Sequence, residues 1–273
     1  MPTITAVLPA SLERELRETA ARRGRSVESL IHSALSEYLH DEDHRLYQIS
    51  TSTALVEGVY EGAVSSSTLL RHGDFGLGTF ANLDGEMIIL DGVMYQARGD
   101  GSVTRRDDEN EVPFAVATRF RPDAAFDIGP VGSFDELARA CDEHRESDNL
   151  FYALRIDGHF DHVHARAVTP VAQGTRLVDA ASAQAEFAFS NVDGTFVCFW
   201  SPAYSSTFNI PGYHAHFVSK DRTQGGHVLD CRAQKLRARI QVLHEYDVQL
   251  PSRGEFLDSD LSRNPAADLA KTE

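Results

Sequence analysis

The 273-residue sequence predicts an α+β protein in which a small strand–helix–helix unit precedes a larger domain built on mixed, mainly antiparallel β-sheet. Two observations carry the prediction. Asp-Gly pairs at 84–85, 91–92, 100–101, 157–158 and 193–194 punctuate short apolar runs such as Met87 to Leu90 and Val93 to Ala97, the signature of consecutive hairpins. Helical spacing, by contrast, is concentrated in the first forty residues and in Phe134 to His144, where Leu137, Ala138 and Cys141 share a face.

Taken in order, Thr3 to Leu8 alternate as one short strand that ends at Pro9. Ser11 is the expected cap of a first helix, with Leu12, Leu16 and Ala20 as its stripe and Gly24 as its stop. Ser26 caps a second helix, whose apolar positions Val27, Leu30, Ile31, Ala34, Leu35, Tyr38 and Leu39 form a face wider than a forty-residue unit can cover alone. The unit is therefore expected to dimerise. The polar run 41–45 reads as a linker, and the second domain is expected over 46–273, with a strand over Ala238 to Val248 and a closing helix over Ala266 to Glu273.

Lys+Arg 26 against Asp+Glu 41 gives 26 − 41 = −15, which opposes general attraction to nucleic acid or anionic membranes. Cys141, Cys198 and Cys231 are odd in number and far apart, and read as reduced, buried and structural. With no basic-then-apolar leader and no apolar run near the length of a membrane helix, the expected location is cytoplasmic.

The chemistry concentrates in Gly212 to Asp230. His214 and His216, two apart, share one face of a strand. The polar run Ser219 to Gln224 and Gly225-Gly226 supply a reversal that returns His227 beside them on a second strand. Three neutral imidazoles suit zinc and leave a coordination position open, although other first-row ions accept the same donors, and each histidine taken alone could be an ordinary strand residue. His159, His162 and His164 form a rival cluster that lacks a glycine-turned return. The run His72 to Phe80 lacks the third glycine of a dinucleotide loop, so its glycines are assigned to tight backbone geometry beside a site or in a crowded sheet. A cupin reading fails because Lys220 stands where that motif needs Glu.

Two resemblances follow from these residues. Residues 2–40, with Leu8-Pro9 and Gly24-Arg25-Ser26 as punctuation, resemble the ribbon-helix-helix fold, in which paired strands of two chains read DNA. Val7 stands where that fold offers a polar or basic side chain, no Arg or Lys lies on the ribbon, and residues 1–40 are neutral, so a homodimerisation module is favoured over a DNA reader. Leu46 to Thr51, Gly58 to Gly62, His72 to Phe80, Leu83-Asp84-Gly85-Glu86, Phe151 to Gly158, Gly212 to Phe217 and Gly225 to Asp230 together resemble the α-acetolactate decarboxylase family.

That second resemblance implies the family fold over 46–273 and a zinc enzyme converting 2-acetolactate to acetoin through a metal-chelated enediolate. It implies metal on His214, His216 and His227, and catalytic roles for Glu86, Arg166 and Glu273. Read without it, a Glu after Asp-Gly is a solvated strand start and an Arg between alanines a surface charge. The alternative function is a ribbon-helix-helix transcriptional regulator whose metal-binding domain senses a metabolite.

Overall fold

The computed structural model describes residues 5–38, 44–62, 64–106 and 109–272. The chain divides into two compact units, residues 1–42 and 43–273.

The first unit holds α1 (Ala10–Arg23) and α2 (Val27–Tyr38). Helix α1 starts at Ala10 with Pro9 as its cap, not at Ser11, because the fixed φ of proline (−57°) already suits helix entry. It ends where expected, on Gly24 in the left-handed region at φ 62°, whose N–H bonds back to the Ala20 and Ala21 carbonyls. Ser26 Oγ accepts from Ser29 N at 3.0 Å and so caps α2. Residues 5–8 of the expected N-terminal strand form no strand among the described residues, and 3–4 lie outside them.

The second unit opens with β1 (Arg45–Ile49), α3 (Ser52–Val56), β2 (Val64–Ser65), α4 (Ser66–His72), β3 (Phe75–Thr79), β4 (Glu86–Leu90), β5 (Val93–Ala97) and β6 (Val103–Arg106). There follow β7 (Glu111–Val112), β8 (Phe114–Thr118), β9 (Ala124–Ile128), α5 (Phe134–Asp142), β10 (Phe151–Ala167), α6 (Leu177–Ala181) and β11 (Ala185–Ser201). The chain ends through β12 (Gly212–Ser219), β13 (Gly225–Arg232), β14 (Lys235–Leu243), β15 (Glu245–Gln249), α7 (Glu255–Asp258) and α8 (Ala266–Thr272). None of the described helices is long and apolar enough to cross a membrane.

Seven strands form one sheet in the order β15-β1-β8-β3-β4-β5-β6, antiparallel except for the β1–β15 pair. The other main sheet runs β11-β12-β13-β10-β14-β9, and β11 also pairs with β10 along its length. The ladder thus closes a circuit β10–β11–β12–β13–β10. Inside the curl, Phe160 stacks on Phe196 at 4.5 Å and meets Phe217 edge-on at 5.8 Å, and α5 covers this core with Leu137 and Cys141. Truncating one such ring to Ala costs about 3–5 kcal/mol. A second apolar layer, with Phe75, Leu77 and Ile88 against Phe199 and Val218, joins the two sheets face to face.

Three sequence expectations change. The Asp-Gly pairs at 157–158 and 193–194 are not turns: Gly158 and Gly194 face each other in the middle of β10 and β11. A Cβ on Gly194 would come within 2.2 Å of the Phe217 ring, so this glycine is there to let the core aromatic approach the strand. The strand expected over 238–248 is two strands, because the chain leaves β14 at His244 to join the other sheet as β15. Gly225-Gly226 begin β13, and the reversal is made by the residues before them, with Ser219 N bonding to the Gln224 carbonyl at 2.8 Å. The glycines of 72–80 are mostly sheet glycines, as expected; a Cβ on Gly78 of β3 would lie 2.4 Å from the Phe114 carbonyl of β8.

Candidate metal centre

The site is built on the closed circuit of strands. His216 in β12 is directly opposite His227 in β13, and His227 is directly opposite Arg166 in β10. Directly opposed residues of antiparallel strands project to the same face, so these three side chains form one cross-strand row. His214, two residues before His216, joins the same face. The ligand atoms of His214, His216 and His227 all lie within 4.8 Å of one another, and the three residues are buried.

This geometry fits a metal ion. The Nε2 atoms of His214 and His216 are 3.2 Å apart, close to the roughly 3.3 Å between two nitrogens on a tetrahedral zinc. His216 Nδ1 lies 2.8 Å from the Met87 carbonyl, which only accepts, so Nδ1 carries the proton and Nε2 keeps its lone pair for the site. Burial holds all three rings neutral. It lowers the His216 pKa to about 4 against the opposing pull of the Met87 carbonyl, and the Arg166 charge adds to the lowering. His214 and His227 are driven well below the ordinary value by burial first and then by neighbouring positive charge. Neutral imidazole is the form that binds metal.

Glu86 and Arg166 complete the cavity. Glu86 begins β4 in the facing sheet and is only 7% exposed, so it is not the solvated strand start that its position after Asp-Gly suggests. Its Oε1 accepts from Val168 N at 3.2 Å, which leaves Oε2 facing His216 Nε2 at 3.5 Å. Burial raises the Glu86 pKa to about 7, with Arg166 and the Val168 N–H opposing. Because burial holds the His216 ring uncharged, the Glu86–His216 contact is not an ion pair. Arg166 is 6% exposed; it donates to Gln184 Oε1 at 2.7 Å and to the carbonyl of Thr272 in α8. Apolar Leu55, Leu83, Phe114, Val168, Leu177 and Ile210 wall the remainder.

The family profile for alpha-acetolactate decarboxylase matches residues 46–263. The chain belongs to that family. An alpha-acetolactate decarboxylase from Methanosarcina mazei is 42% identical over 229 residues, covering 84% of this chain and 80% of its own length. One from Methylococcus capsulatus is 41% identical over 236 residues, covering 86% and 91%. The crystal structure of the Bacillus subtilis alpha-acetolactate decarboxylase superposes with a TM-score of 0.81 at 37% identity, covering 84% of this chain and 99% of its own. The match of the alpha-acetolactate decarboxylase profile begins at 46, so the unit of residues 1–42 precedes it.

Of the site residues expected from sequence, His214, His216, His227, Glu86 and Arg166 line one cavity, and Glu273 lies outside the described residues. Sequence reasoning missed the Met87 carbonyl, the Val168 N–H, the Thr272 carbonyl and Gln184. The first three are backbone groups, which leave no residue-type signal, and Gln184 reaches the site from the connection between α6 and β11. The rival histidines point elsewhere: His159 bonds Asp193 at 2.8 Å and His164 bonds Glu186 at 2.9 Å.

Proposed function

We propose that the chain decarboxylates 2-acetolactate to acetoin, with zinc on His214, His216 and His227. The observation that carries this reading is the meeting, in a member of this family, of three neutral imidazoles with one buried carboxyl and one buried guanidinium. Zinc held by these three histidines would supply Lewis-acid stabilisation of the negative charge that decarboxylation develops, in place of an organic electron sink. The Arg166 guanidinium, always cationic, binds the substrate carboxylate and orients the scissile bond. Its partners Gln184 and Thr272 hold the fork in place. Glu86 holds the proton that the product carbon must receive. Its Oε1 is tied to the Val168 N–H, so Oε2 is the oxygen that exchanges it, and a pKa near 7 lets it give and regain a proton near neutrality. Delivery from this one wall protonates one face of the planar product precursor. Glu273, next after Thr272, acts as the second acid.

The experiment is acetoin formation from racemic acetolactate, measured with the protein as purified, after chelation and after adding back zinc. Acetoin lost on chelation and restored by zinc supports the reading, and no metal-dependent acetoin overturns it.

For residues 1–42 the reading is homodimerisation. Leu12, Leu35 and Tyr38 remain 43%, 54% and 81% exposed within one chain, more apolar surface than so small a unit leaves open when stable alone. Residues 1–40 are neutral and residues 41–273 carry the whole net charge of −15, a poor combination for a DNA reader. Light scattering of the full chain and of one starting at residue 44, with a gel shift at low salt, separates the two: loss of the dimer without any shift supports dimerisation.

A further inference from the structure

We infer that Arg176 is a positioning residue for the proposed active site: it latches the C-terminal helix α8, whose last turn in turn holds Arg166. The inference rests on the functional reading given to Arg166, but the latch is an observation about a different part of the fold. Arg176 lies immediately before α6, at the end of a connection that is anchored at several points. Val171 N bonds the Asn82 carbonyl at 2.9 Å, Gly174 N bonds the Gly58 carbonyl at 3.0 Å, and Gln173 Oε1 accepts from Tyr60 N at 2.8 Å. From this fixed base the guanidinium reaches Asp268 Oδ2 in α8 at 2.7 Å and Glu57 Oε1 at 3.5 Å. Its Nε is buried without a hydrogen-bond partner among the described residues, a desolvation cost that a freely solvated surface arginine does not carry.

Helix α8 matters to the site in two ways. Leu269, 2% exposed, packs into the apolar cluster that contains Leu55, Leu83, Phe114, Val168, Leu177 and Ile210, the same side chains that wall the cavity. The Thr272 carbonyl accepts from Arg166. A seven-residue helix has little stability of its own and stays put only through such tertiary contacts. Releasing its ion pair therefore loosens both the backs of the wall residues and one of the acceptors that orient the Arg166 fork. The site keeps its histidines and its metal, which are on other elements, but binds the substrate carboxylate less well.

The test uses the full-length, zinc-loaded protein and the variants Arg176→Ala, Asp268→Ala, the double variant and Arg176→Lys. Two readouts are needed, hydrogen exchange of the amides of 266–272 and the separate values of KM and kcat. The pair is partly exposed, so Arg176→Ala is expected to speed exchange in α8 and to raise KM by about two- to fivefold, with kcat less affected and bound zinc unchanged. Asp268→Ala does the same, the double variant is no worse than either single, and Arg176→Lys recovers most of the loss. Unchanged exchange in 266–272, or additive effects of the two alanine variants, overturns the latch. A wild-type protein that makes no acetoin fails the functional reading alone, because the exchange measurement stands apart from turnover.

Discussion

Two histidine triplets in this chain begin from the same pattern and end differently. His214, His216 and His227 converge, buried, on one point. His159, His162 and His164 lie along β10, and their outer members are bonded to acids at the surface, with side-chain exposures of 53% for His159 and 36% for His164. An H-x-H pair puts two rings on one face in both cases. What differs is what the face looks at. β12 is paired on both edges and faces the second sheet, where the Met87 carbonyl fixes a tautomer. The outer stretch of β10 meets solvent and carboxylates. The change occurs within β10 itself: His164 is half exposed, and Arg166, two residues on, is buried in the row with His227. Spacing nominates a donor set, and a returning strand with burial turns it into a site.

The widest separation of the triplets is expected from His227→Ala against the double variant His162→Ala/His164→Ala. Loss of a group that only hydrogen-bonds a ligand costs roughly 10–100-fold in a metal site, so loss of a ligand is expected to exceed about 100-fold in acetoin rate and to empty the site, while the double variant stays within about twofold. Zinc per chain by mass spectrometry, together with the rate, reads both, and equal losses would abolish the distinction.

Arg166→Lys keeps the charge but loses the planar fork. A fall of about 10²–10³ in kcat/KM is expected, the cost of removing one donor aimed at developing charge. An unchanged kcat/KM would remove Arg166 from the site chemistry.

Farther along β10, the Asp157 carboxylate accepts from Arg239 at 2.6 Å, Thr195 at 2.8 Å and Arg155 at 3.1 Å. Burial alone would raise its pKa, but these bonds outweigh it and leave it lowered from 3.8. A lowered folded-state pKa contributes stability that is present above about pH 4 and lost as pH falls through the folded value. Asp157→Asn is expected to cost about 1–3 kcal/mol in urea unfolding at pH 7, with the deficit shrinking in acid and the rate per folded molecule unchanged. A deficit that grows in acid would reverse this assignment. The smallest effect belongs to Glu186→Gln. Its partner His164 is at the surface, so rate and zinc content should both stay within about twofold; a larger loss would tie the outer triplet to the site after all.

How far these features were legible in the sequence follows from the range of the contacts. The metal hairpin could be read directly, because His216 and His227 meet through a local reversal. The hairpins at 84–85 and 91–92 were equally local, as were α2 with its serine cap and α5 with its helical spacing. Glu86 and Arg166 come from a different sheet and from a strand some sixty residues away, and only the family resemblance picked them out. Where a local rule failed, packing overrode it: the Asp-Gly pairs of β10 and β11 serve a close aromatic contact and not a turn, and α1 takes proline instead of serine as its cap.

The row Arg166–His227–His216 spans three hydrogen-bonded strands, so its assembly depends on register. Sliding β13 by one residue against β12 would send His227 to the opposite face, toward the aromatic core, while leaving the number of strands and hydrogen bonds almost the same. Circular dichroism would barely notice such a chain, and a metal would not bind it. With the metal role proposed above, metal stoichiometry would be a proofreading measurement: it would count the molecules whose strands are aligned, which a measure of secondary structure cannot do.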